Sequence, residues 1–120
     1  MSASSLTLIL FSVTLSAIAQ IAFKYGVHPD TAQSPQLFPG HIAKFLTPGV
    51  IVGLMLYGVG TLLWLTALGR VELSQAYPFV GIGFALTTLA GWWLFGEQLS
   101  AYRVAGIALI IGGIVLVARN

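Results

Sequence analysis

The chain has 120 residues, of which 58% are hydrophobic and 7% charged, and its mean hydropathy is +0.96. Soluble domains carry about 25% charge, and a fold of this length has too little interior to hide so much apolar surface, which excludes a water-soluble globule. The net charge of +2 comes from Lys24, Lys44, Arg70, Arg103 and Arg119 against Asp30, Glu72 and Glu97, too few and too scattered for a nucleic-acid face.

Four uncharged runs organise the sequence, at 6–23, 45–69, 73–96 and 104–118. Roughly twenty apolar residues cross a 30 Å hydrocarbon layer. The first three runs meet that length. The fourth needs 100–103 as its first turn, with Arg103 snorkelling toward the headgroups. The pattern predicts an all-α polytopic membrane protein: one domain over 1–120, a bundle of four transmembrane helices near 4–24, 47–68, 75–95 and 100–118, with a long loop at 25–46.

The first helix carries a polar ladder in "SVTLSAIAQIAFKYG". Ser12, Ser16, Gln20 and Lys24 recur every fourth residue, on one side of a helix and over about 18 Å of its length. Ser and Thr are cheap in lipid because they bond back to the carbonyl four residues earlier. The Gln20 amide has no such local route, so it either lines a cavity or ties helices together. Lys24 either snorkels at the interface or meets an anionic headgroup or substrate. The start "MSASS" lacks the basic flank of a signal peptide, and Lys24 closes the run as an interfacial anchor would, so the run reads as a membrane span.

The connection "GVHPDTAQSPQLFPGH" contains Pro29, Pro35 and Pro39, which argue against a further helix. His28 and His41 within it read as ordinary loop residues, and no metal site is expected. The segment "IAKFL" that follows is short enough either to lie at the interface or to begin the descent. In the second helix, Tyr57, Thr61 and Trp64 share a side, and Gly49, Gly53, Gly58 and Gly60 allow close backbone approach.

Tight connections at 70–74 and 97–98 predict that helices two, three and four pack as antiparallel neighbours. Helix three opens with Gln75, Tyr77 and Pro78; the proline leaves the Ser74 carbonyl without its intrahelical donor. Tyr77 and Trp64 either wall a pocket or belong to the interfacial aromatic belt. Small residues follow at Gly83, Thr87 and Gly91. Glu97 is either a solvated turn residue or a partner for a cation or for Arg103. The fourth helix sets Ala101, Ala105, Ala108 and Gly112 on one stripe, and Gly106 and Gly113 on its neighbour. These stripes pack the helices of one subunit or join two subunits. Four short helices enclose little volume, so a path for anything larger than an ion calls for a dimer or a partner of the same shape.

Orientation is nearly undetermined by charge. Lys24, Lys44 and Arg103 fall on one side, and Arg70, Arg119 and the terminal amine on the other. Such a chain inserts both ways, takes its orientation from a partner, or relies on a small residual bias. No cysteine is present and no nucleophile is paired with a base, so neither an enzyme nor a cofactor is expected.

"AYP" at 76–78, "GE" at 96–97, Ser100, Gly106 and "IIGGIVLV" at 110–117, together with "SAIAQIAFK" at 16–24, resemble the small four-helix, EamA-type branch of the drug/metabolite transporter superfamily. The likeness is strongest to the subunits of the undecaprenyl-phosphate aminoarabinose flippase, and it covers nearly the whole chain except the long first loop. It implies a paired four-helix bundle in the bacterial inner membrane. The unit would be a homodimer or a heterodimer with a similar small subunit, moving an undecaprenyl- or other polyprenyl-phosphate-linked (amino)sugar between leaflets. The available polar contacts for that membrane lipid are Ser16, Gln20, Lys24, Trp64, Tyr77, Glu97 and Arg103, with Arg70 a further rim cation; Gly83, Gly91, Gly106, Gly112 and Gly113 are the packing glycines.

The small multidrug resistance proteins resemble the chain more distantly. Their first helix carries a membrane-embedded glutamate that alternates between proton and cationic drug. Aligned on Lys24, this chain has Ser16 at that position and Val80 where the family has a tryptophan, although Tyr77, Gly106 and Gly113 match. A serine cannot hold the charge that such exchange needs, which argues against coupled cation/proton antiport. A structural partner that transports nothing is the other alternative.

Overall fold

A computed structural model of the chain describes residues 2–27 and 45–119. The expectations for His28, His41, Lys44 and most of the loop at 25–46, including the start of the "IAKFL" segment, lie outside the described residues. The described residues form α1 (Ala3–Val27), α2 (Pro48–Leu68), a short α3 (Leu73–Ala76), a 3-10 turn (Tyr77–Phe79), α4 (Val80–Phe95) and α5 (Ala101–Ala118). In lipid no water is present to satisfy the backbone, so uniformly apolar runs must close their hydrogen bonds internally, and the helix is how one segment does so. Among the described residues, four spans are long and apolar enough to cross a membrane: Ala3–Val27, Pro48–Leu68, Leu73–Phe95 and Ala101–Ala118. The chain is an all-α, four-helix multi-pass membrane protein.

Local chemistry sets the helix ends. Ser2 Oγ accepts from the Ser5 N–H at 3.2 Å and opens α1. Thr47 Oγ1 accepts from the Val50 N–H at 3.3 Å, and Pro48 takes the first turn of α2, where its missing N–H costs nothing. Ser100 caps α5 in the same way, accepting from the Arg103 N–H at 3.2 Å. Gly96, left-handed at φ 66°, stops α4 and reverses the chain. The third span starts at Leu73 rather than 75 and is not a uniform α-helix. Pro78 lacks an N–H for the Ser74 carbonyl, and the chain tightens through the 3-10 turn before α4 resumes at Val80.

The helices lie in the order α2, α1, α4, α5, in a slab of 52 × 36 × 18 Å. This differs from the neighbour order expected from the short connections. α4 and α5 do pack together, but α2 lies along α1 and meets the third span mainly near the turn that joins them. The glycine stripe of α2 is the physical reason. A Cβ at Gly49 would come within 2.8 Å of the Gly26 nitrogen, and one at Gly53 within 2.6 Å of the Phe23 ring and 3.0 Å of the Ala19 carbonyl. Side chains there would force the two helices apart, and without them α1 captures α2. Gly60 continues the stripe, its carbonyl accepting from the buried Ser12 hydroxyl at 2.8 Å. The apolar core sits at the opposite end of the slab from Gly26 and Gly49, where Ile9 and Val13 of α1 meet Ala67, Ala76, Phe79 and Ile114.

Candidate transport cleft

A cleft of about 480 Å³ lies where α2 and α4 diverge, with α1 as its floor. Ser12, Val13, Ser16, Ala17 and Gln20 form the floor; Tyr57, Thr61 and Trp64 of α2 form one wall. The other wall is Tyr77 of the 3-10 turn with Val80, Gly83, Phe84 and Thr87 of α4. Gly83 belongs here because α4 must approach α1: a Cβ would stand 3.3 Å from the Val13 side chain. The cleft is accessible from one broad side of the slab, since Gln20, Tyr57, Tyr77 and Phe84 are exposed.

Its polar groups are neutral. The hydroxyls of Thr61 and Thr87 are engaged by carbonyls of their own helices, Tyr57 at 2.8 Å and Phe84 at 3.1 Å, and Ser12 is engaged by Gly60. No such bond ties down Ser16 or Gln20 among the described residues, which leaves a hydroxyl and an amide on the floor to meet a ligand. Among the described residues, no acidic or basic side chain lines the cleft. Such a cavity offers hydrogen bonds and aromatic faces without charge, suited to a polar group that remains tethered to an apolar body.

The two ends differ. At the end nearer Arg70, Trp64 and Tyr77 meet edge to face, ring centroids 6.2 Å apart at 71°, and bridge the walls. At the other end, one turn beyond Gln20 and Thr87, Lys24 of α1 meets Glu97 of the α4–α5 turn, Nζ to carboxylate 3.8 Å. Both side chains are half exposed. Beside them the rings of Tyr25 and Phe95 meet at a tilt of 56°, with centroids 4.8 Å apart. Arg103 lies apart from the cleft and donates to the Gln98 carbonyl at 2.7 Å, stiffening the turn.

Of the residues expected to contact a ligand, Ser16, Gln20, Trp64 and Tyr77 therefore line one cleft. Lys24 and Glu97 form a pair beyond its end, and Arg103 belongs to the turn. Phe84 and Thr87 also line the cleft but were not among those residues. Their signal was the spacing of Tyr77, Val80, Phe84 and Thr87, which marks one face of a helix. Of the packing glycines, Gly83 faces α1, Gly91 faces Glu97 of the chain's own turn, and Gly106, Gly112 and Gly113 meet nothing within 4 Å among the described residues. Among the described residues no group of three His, Cys, Asp or Glu is placed to hold a metal ion.

The sequence pattern of the EamA-like transporter family matches residues 2–119. The chain is similar to a "Probable 4-amino-4-deoxy-L-arabinose-phosphoundecaprenol flippase subunit ArnE" of Pseudomonas aeruginosa, 33% identical over 97% of this chain and 98% of that one. It is also similar to a "Probable 4-amino-4-deoxy-L-arabinose-phosphoundecaprenol flippase subunit ArnF" of Erwinia tasmaniensis, 37% identical over 88% and 87%. An uncharacterized protein, y4nH, of Sinorhizobium fredii is 38% identical over 88% and 86%. No solved structure matches the chain.

Proposed function

The chain belongs to the EamA-like transporter family, and from that premise we propose that it is one half of a flippase for a polyprenyl-phosphate-linked sugar. Its general role is that of a transporter or flippase subunit in the inner membrane. The substrate class rests on one observation above all: the cleft is neutral, polar at its floor and open on a broad face. A cargo with a long isoprenoid tail can leave that tail in lipid while only its headgroup passes, so the protein need supply only hydrogen bonds and a cation near the rim. Ser16 and Gln20 supply the donors, Trp64 and Tyr77 supply aromatic faces for a sugar ring, and Lys24 is the cation within reach of one end.

A second subunit is part of this reading. A slab 18 Å thick is under two helix diameters and cannot enclose a sugar phosphate by itself. Ile114 is the buried residue of α5, whose small residues Gly106, Gly112 and Gly113 meet nothing within 4 Å among the described residues. That bare helix is suited to a second copy or a similar small subunit, in keeping with the word subunit in the names of its relatives.

The test is leaflet transfer in reconstituted vesicles, with a fluorescent polyprenyl-phosphate sugar whose outer-leaflet pool is removed by an impermeant quencher. Transfer above protein-free vesicles, slowed by Gln20→Ala, is the expected result. No transfer by the chain alone or with a related subunit would refute the proposed cargo.

A further inference from the structure

We propose that Glu97 occupies the anion subsite of Lys24, standing in for the phosphate of the cargo and yielding to it when the headgroup arrives. The inference rests on the cargo proposed above and adds a selectivity element at the cleft's end.

Three features seat the carboxylate. The left-handed Gly96 turns the chain back over the end of α4. The Glu97 N–H then donates to the Gly91 carbonyl at 3.0 Å, pinning the residue above that glycine. The absent side chain of Gly91 leaves the notch that Glu97 fills: a Cβ there would collide with Glu97 Oε1. Gly91 thus receives the carboxylate where the other packing glycines of the third span receive hydrocarbon, Gly81 meeting Ile110 and Ile114, and Gly83 meeting Val13. From the notch Glu97 reaches Lys24 at 3.8 Å, a separation longer than that of a charge-assisted hydrogen bond, with both groups half exposed.

A partner held at that distance and open to solvent is replaceable. A phosphate monoester brings more acceptor oxygens and more charge, a diester matches the carboxylate's two oxygens and single charge, and the ammonium can turn to either without a change in the helices. Lys24 stands one helical turn beyond Gln20, so a headgroup hydrogen-bonded on the cleft floor presents its phosphate toward the Lys24 end. Neutral lipids gain nothing from displacing the carboxylate, so the pair selects for phosphate-bearing ones.

The full chain in nanodiscs provides the test, with binding of a short-chain polyprenyl phosphate, the matching polyprenol and inorganic phosphate measured by native mass spectrometry. Glu97→Gln is expected to tighten binding of the polyprenyl phosphate about 2- to 5-fold, the range that loss of an exposed competing ion pair allows, while polyprenol binding stays unchanged. Gly91→Ala removes no ionisable group but expels the carboxylate from its notch, and is expected to give the same gain. Adding Lys24→Ala to either variant is expected to abolish it. The proposal is overturned if neither variant tightens phosphate binding, if the gain survives loss of Lys24, or if polyprenol gains equally. Tightening confined to inorganic phosphate would also overturn it, by assigning the subsite to free anions. If the parent chain binds the polyprenyl phosphate but the variants match it, this inference falls alone; if no form binds it, the cargo assignment falls as well.

Discussion

The buried hydroxyl of Ser12 on α1 donates to the carbonyl of Gly60 on α2 at 2.8 Å, a direct polar link between the two most closely packed helices. In membranes such bonds contribute about 0.6 kcal/mol on average and up to roughly 1.7. Ser12→Ala is therefore expected to destabilise the protein by about 1 kcal/mol without unfolding it. Reversible unfolding in mixed detergent measures this. A loss several-fold larger would mean that Ser12 holds more than one helix pair.

The same interface makes a contrast between two glycines of one helix. Gly53→Leu drives its side chain into the Phe23 ring and the Ala19 carbonyl, whereas Gly58→Leu enters open space. Overpacking costs about 1–3 kcal/mol and more where backbone is struck. Gly53→Leu is expected to lower the melting temperature in detergent by many degrees, and Gly58→Leu to leave it nearly unchanged. Equal losses would contradict the pairing of α1 with α2.

For α5, Gly113→Leu is expected to leave the melting temperature of the single chain intact, because a Cβ at Gly113 meets nothing within 4 Å. If that face joins two subunits, crosslinking and mass measurement will show fewer dimers for the variant than for the parent. An unchanged monomer-to-dimer ratio would place the interface elsewhere.

Spans were legible in the sequence because lipid permits no interruption of the apolar run, and the cleft was partly legible because a helix repeats its faces every 3.6 residues. Thus Ser12, Ser16 and Gln20 share a side in the sequence and form one floor in the fold, and Tyr57, Thr61 and Trp64 form one wall. Choice of partner was hidden. A glycine announces that something comes close but not what: Gly53 received α1, and Gly91 received a carboxylate from its own turn. Short connections also misled, since the turn after Leu68 holds α2 and α3 together only near the turn, while the glycines of α2 commit its length to α1.

Charge leaves orientation finely balanced. Lys24 and Arg103 lie at one end of the described slab, Arg70 and Arg119 at the other. Single cysteines at Gln98 and at Glu72, labelled from outside intact cells with an impermeant reagent, are expected to react in mixed fashion, or to resolve to one orientation only when a related subunit is present. One fixed orientation without any partner would exclude dual insertion and leave the fold unaffected.

The most direct measurement is a lipid-bound structure in a nanodisc loaded with a polyprenyl-phosphate sugar. The expected density places the sugar between Ser16, Gln20, Trp64 and Tyr77, the phosphate at the Lys24 end, and the tail leaving between α2 and α4 into lipid. A compact organic cation held in the cleft, with no tail emerging and with proton release accompanying its binding, would contradict the flippase assignment and point instead to cation/proton exchange.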